Sequence, residues 1–122
     1  MLNINNEYPI FIQVAEYIKD NILIYVYKEE EKIPSTTEFS VEYKINPATA
    51  RKGFTILVDE GILYKQRGIG MFVSKGAREK IIKNRQKDFF EKKVKELVEE
   101  AEKIEVDKET LIKFIEEGEF NE

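Results

Sequence analysis

Apolar positions repeat along this chain with a helical period, then a strand period, then a helical period again. Phe11, Val14, Ala15, Ile18 and Ile22 share one helical face, so a helix opens at Tyr8-Pro9 and runs to about Tyr25. A charged connection, Lys28-Glu29-Glu30-Glu31-Lys32, follows without glycine, and Ile33-Pro34 reads as a short extended piece. Ser35-Thr36-Thr37-Glu38 is a capping box: the serine oxygen can bond the Glu38 amide while the Glu38 carboxylate reaches back. It starts a second helix, about Thr36 to Tyr43, with Phe39 and Tyr43 four residues apart. Asn46-Pro47 is another start signal, an N-cap followed by proline at the first helical position. This third helix turns Ala50, Phe54, Leu57 and Val58 inward and ends at Glu60-Gly61.

The period then changes. Ile62 to Gln66 and Met71 to Ser74 are strand-like, joined by a hairpin turn, Arg67-Gly68-Ile69-Gly70. After Gly76 there is neither proline nor glycine until past Ile104. Ile82, Phe89, Phe90, Val94, Leu97, Val98, Ala101 and Ile104 form an apolar stripe, which predicts one long helix from Ala77 to about Ile104. Asp107 caps a last helix carrying Leu111, Ile112, Phe114 and Ile115, closed by Gly118. Two short capped helices followed by a hairpin have the layout of a winged helix-turn-helix, whose second short helix enters a DNA groove. The expected fold class is α+β, mainly helical. A winged helix-turn-helix domain occupies residues 1–76, and a two-helix dimerisation segment follows over 77–122.

Composition removes several alternatives. The chain has 122 residues, enough for one domain or a small domain with an appendage. It contains no cysteine and no histidine, which excludes disulfides, Cys/His zinc sites and His-dependent nucleophilic catalysis. No apolar run approaches the roughly 20 residues that span a bilayer. The first residues, MLNINNEYP, lack the basic and apolar pattern of a signal peptide. The expectation is a cytoplasmic protein without a membrane partner.

The net charge of −4 speaks against a polyanionic partner, but the charge is unevenly spread. Residues 44–75 carry six basic and two acidic side chains, residues 78–95 eight and three, and residues 96–122 three and eleven. A basic middle fits a phosphate-facing surface. The third helix presents Asn46, Pro47, Ala48, Thr49, Arg51 and Lys52 on its first turn and outer face. Thr49 can meet a phosphate or a thymine methyl group, and Arg51 can fork onto guanine or phosphate. In the hairpin, Lys65 and Arg67 flank Gly68 and Gly70, so bare backbone can approach a phosphate or the minor groove. An Arg/Lys pair alone is more often a solvated helix face, and the hairpin alone an ordinary turn. Their succession favours double-stranded DNA as partner.

Five blocks extend this into a resemblance. Tyr8-Pro-Ile-Phe-Ile-Gln-Val-Ala15, Ile33-Pro-Ser35, Asn46-Pro-Ala-Thr-Ala-Arg51, Leu57-x-x-Glu-Gly-Ile-Leu63 and Gly68-x-Gly-Met-Phe-Val73 occur in the order and spacing of the GntR family. This resemblance covers about residues 8–75 and implies a bacterial winged-helix transcription regulator. The Asn-Pro start and the short remainder after Gly76 resemble the YtrA-like subfamily, which implies a homodimer made by two C-terminal helices. By the same resemblance Ser35, Thr49, Arg51, Lys52 and the Gly68–Ile69–Gly70 turn fall where the family contacts DNA, with Thr36 and Thr37 beside them. Thr37 and Pro47 stand where the wider family often has arginine.

The long helix offers Phe89, Phe90, Val94, Leu97 and Val98 as dimer contacts. An intramolecular hairpin with the last helix is the alternative cover for the same stripe. Catalysis is not expected. Asp59 and Glu60 are adjacent at the end of a helix with no partner of known geometry, the Gly68-x-Gly70 pair lies in a hairpin, and Glu99, Glu100 and Glu102 lack metal-loop spacing. No metal or cofactor is expected either. The resulting expectation is a repressor that binds a palindromic operator as a homodimer and answers to an unidentified small-molecule effector, if to any. The rival reading is a winged-helix protein-interaction module that has lost sequence-specific DNA binding.

Overall fold

The sheet orders the N-terminal unit, although it has only three short strands. A computed structural model describes residues 2–118. Strand β1 (Lys32–Ile33) pairs antiparallel with β3 (Gly70–Val73), which pairs antiparallel with β2 (Leu63–Gln66), giving the order β1-β3-β2. The extended piece expected at Ile33-Pro34 lies one residue earlier, as a third strand, with Lys32 opposite Phe72 and Ile33 opposite Met71. Ile33 and Met71 point into the core, so Lys32 and Phe72 point away from it by the two-residue period.

Three helices pack around that sheet. Helix α1 (Ile10–Leu23) buries Val14, Ala15, Ile18 and Ile22. Helix α2 (Thr36–Tyr43) begins as its capping box predicts: Ser35 Oγ accepts from Glu38 N at 3.0 Å, and Ser35 N donates to Glu38 Oε1 at 3.1 Å. It ends at Lys44, which takes the left-handed conformation (φ 54°) and turns the chain toward the next helix. Helix α3 (Pro47–Asp59) begins at Asn46, whose Oδ1 accepts from Ala48 N at 2.8 Å.

The core is apolar and interlocked. Phe39 of α2 meets Phe54 of α3 edge-to-face, 5.5 Å between centroids, and both are buried. Gln13 and Ser40 are also buried, and both are satisfied. The Gln13 amide bonds the backbone of Asn5 and Tyr8, and Ser40 Oγ donates to the Thr37 carbonyl at 2.9 Å. One expected core residue is not inside: Val58 is 38% exposed. The inner face of α3 runs through Ala50, Phe54 and Leu57, and the next residue lies about 100° further round.

The long C-terminal helix is not uniform. Helix α4 (Ala77–Asp88) buries Ala77 and Ile81 in the same core as α1 and α3. A π-helical turn follows (Phe89–Val94), then α5 (Lys95–Lys103). This corrects the single α-helix expected over Ala77 to Ile104. Phe89 and Val94 are five residues apart, a step that an α turn throws to different sides. The i→i+5 bonding of a π turn holds them closer to one face. The chain divides into two compact units between Lys83 and Asn84. In the second unit, Asp107 Oδ1 accepts from Thr110 N at 2.8 Å to start α6 (Lys108–Glu117), and Gly118 closes it with φ 70°. Glu119 and Glu122 of the acidic tail lie outside the described residues.

Candidate nucleic-acid interface

Helix α3 supplies one wall of a groove. Arg51, Thr55 and Val58 follow at four- and three-residue steps, so they stack along one helical face. The hairpin supplies the facing wall, with Lys65, Gly70 and Met71, and the start of α2 adds Ser35 and Thr36. The groove holds about 480 Å³. Its lining carries two cations and no carboxylate. Cations on facing walls with hydroxyls at one end suit a negatively charged strand passing between helix and hairpin.

Five of the residues expected from sequence thus come together here: Ser35, Thr36, Arg51, Lys65 and Gly70. The Ser35 hydroxyl is already engaged in its cap. Thr36, the first residue of α2, lines the same end, and its amide is one that the helix itself leaves without an intrahelical partner. Thr55, Val58 and Met71 were not among the expected contacts. The helical spacing from Arg51 was a usable signal for Thr55 and Val58. Met71 was not findable in that way, because its position depends on strand pairing.

The other expected residues lie outside the groove. Asn46, Pro47 and Ala48 are exposed at the start of α3, with Thr49 half-buried behind them. Arg67, Gly68 and Ile69 form the exposed tip of the hairpin, where Ile69 N donates to the Gln66 carbonyl at 2.9 Å. Gly68 takes φ 79°, a conformation that suits glycine, and a Cβ there would meet nothing within 4 Å. Ile69 is 59% exposed and offers an apolar tip. Thr37 is exposed on α2. Lys52 turns toward α1, where its ammonium sits 3.9 Å from the centroid of the Phe11 ring. Arg51 is therefore the only cation of α3 in the groove lining.

Among the described residues, no group of three or more His, Cys, Asp or Glu could hold a metal. Among the described residues, no helix is long and apolar enough to cross a membrane. The model of the gntR family of bacterial regulatory proteins matches residues 12–73, which contain α2, α3, the sheet and most of α1. The chain belongs to the GntR family. By family it is a bacterial regulatory protein. It is 38% identical over 93 residues to the uncharacterized HTH-type transcriptional regulator YurK of Bacillus subtilis, covering 75% of this chain and 38% of YurK. It is 28% identical over 109 residues to the HTH-type transcriptional repressor YtrA of the same organism, covering 89% of this chain and 83% of YtrA. A crystal structure of a GntR-family transcriptional regulator from Bacteroides thetaiotaomicron superimposes with a TM-score of 0.78 at 30% identity, over 88% of this chain and 94% of that one. The GntR fold is thus present with C-terminal helices, as a mainly helical protein with a small antiparallel sheet.

Proposed function

We propose that this GntR protein is a cytoplasmic transcription repressor that binds a palindromic operator in double-stranded DNA as a homodimer. The observation that carries the reading is the groove between α3 and the hairpin, with Arg51 and Lys65 on its facing walls. In this reading α3 enters the major groove with Asn46, Pro47, Ala48, Thr49 and Arg51 foremost. The sugar–phosphate backbone runs between α3 and the hairpin, past Thr36, Thr55 and Lys65. The tip residues Arg67, Gly68 and Ile69 then reach the minor groove or its phosphates. The assignment as a repressor follows YtrA, which carries that name.

The second unit supports the dimer in this reading. Phe89 and Phe90 are 49% and 61% exposed, and Leu97 is also exposed beside half-buried Val94 and Val98. Only Ala101 is buried among the described residues of that unit. Such an apolar stripe asks for a partner, and a second copy supplies it. A two-fold dimer sets two copies of α3 about 34 Å apart, one turn of duplex DNA.

Selection from random-sequence duplex DNA tests the reading. A palindromic consensus, bound with a steep loss of affinity as salt rises, is the expected result. No enrichment of any sequence would overturn it and leave the protein-interaction module as the better reading.

A further inference from the structure

Strand β1 is two residues long, and only one of them serves the core. Ile33 is buried, while Lys32 faces out. Lys32 stands opposite Phe72, which in turn stands opposite Tyr64, so these three share the outer face of the sheet. Lys65 pairs with Met71 and lies on the other face, toward the groove. The Lys32 side chain runs across Gly70: a Cβ built there would lie 2.7 Å from Lys32 Cε and 3.6 Å from its Nζ. The missing side chain at Gly70 thus opens a lane beside the hairpin tip, and Lys32 fills it.

We propose that Lys32 is a DNA-backbone contact delivered to the wing by β1, and that Gly70 keeps the lane along which it reaches. This rests on the DNA-binding reading above. Lys32 and Lys65 then straddle the start of β3, one ammonium on each face of the sheet, with Arg67 beyond them at the tip. A strand edge gripped from both faces by lysines suits the phosphates that border a minor groove. Lys32 also sits near enough to α2 for its charge to help hold the Glu38 carboxyl below the usual range, behind the larger effects of the Ser35 hydrogen bonds. It therefore adds a cation beside the first turn of α2. A purely structural role is the competing explanation, since the lysine stem covers the Gly70 backbone. Charge and stem can be separated, because Lys32→Gln keeps most of the stem and removes the charge.

The experiment compares the unaltered protein, Lys32→Gln and the control Lys28→Gln on two duplexes, the selected palindrome and an unrelated sequence. Each is titrated across a range of salt concentrations, with thermal unfolding checked alongside. Lys32→Gln should keep its melting temperature and lower the slope of log K against log salt by about one per subunit, equally on both duplexes. Lys28→Gln should keep the parent slope. A parent-like slope in Lys32→Gln, or an equal fall in Lys28→Gln, overturns the assignment while leaving the regulator reading intact. An absence of binding by the unaltered protein overturns both.

Discussion

Gly53 of α3 lies against Val14 of α1 with no space for a methyl group. A Cβ at Gly53 would sit 2.8 Å from Val14 Cγ1 and 2.9 Å from the Phe11 carbonyl oxygen. Glycine inside a helix normally costs about 1 kcal/mol relative to alanine, so Gly53→Ala should stabilise on propensity alone. Overpacking in a close helix–helix contact costs about 1–3 kcal/mol and outweighs it here. Urea unfolding should show Gly53→Ala less stable than the parent; a higher midpoint would refute the close-contact account.

Arg78 ties the start of α4 to the end of α1. Its Nε donates to the Leu23 carbonyl at 2.9 Å, and its guanidinium lies 4.5 Å over the Tyr25 ring. Leu23 is the last residue of α1, so Arg78 satisfies a carbonyl that the helix leaves open. Arg78→Ala should cost about 1–2 kcal/mol. Arg78→Lys should restore little of it, because lysine has neither the Nε donor nor the planar stacking face. Equal stability of the lysine variant and the parent would show that charge alone is enough.

The capping box makes part of the stability depend on pH. Hydrogen bonds from the Ser35 backbone, then from its hydroxyl, hold the Glu38 carboxyl below the usual glutamate range. A carboxyl with a lowered folded pKa stabilises the fold above that usual range and loses its contribution as pH falls through the lowered value. Denaturation followed from neutral to acid pH should show this loss in the parent. It should be smaller in Glu38→Gln, and identical acid profiles would remove the cap from the account.

Arg51 and Lys65 should fail in different ways. Arg51→Ala should weaken binding by about 1–3 kcal/mol and relax preference at particular base pairs. Lys65→Gln should weaken all sequences alike and reduce the salt slope by about one. Binding measured against single-base variants of the selected palindrome separates the two. Uniform loss in Arg51→Ala would reassign that side chain to the phosphates.

The π turn carries the dimer prediction. Phe90→Glu places a charge in the middle of the apolar stripe, where burial against a second copy would leave it unpaired. Sedimentation at micromolar concentration should find a dimer for the parent and a monomer for this variant. A parent that sediments as a monomer would refute the interface.

Much of this was legible in the residues, and the legible parts share a cause. Ser35, Asn46 and Asp107 each act on backbone amides two or three positions ahead, so the starts of α2, α3 and α6 are written within four residues of chain. Gly61, Gly68 and Gly118 mark ends and turns for the same local reason, since each adopts a positive φ. The apolar periods marked most of the buried positions of α1, α3 and the hairpin, with Val58 exposed, whereas the stripe of the second unit is exposed at Phe89, Phe90 and Leu97. The order of these elements determined the winged helix and pointed to α3 and the hairpin as the basic pair.

What the tertiary structure decided depends on residues distant in the chain. Lys32 meets Phe72 only after β1 has joined the hairpin; the local signal marked an extended piece at Ile33-Pro34 but not the strand it pairs with. Lys52 and Arg51 are equal neighbours in the sequence. The packing of α1 against α3 sends one onto the Phe11 ring and leaves the other in the groove. Local chemistry therefore determined where each element begins and ends. Which cation reaches the groove was decided by contacts between elements, whose geometry exists only once the core has closed.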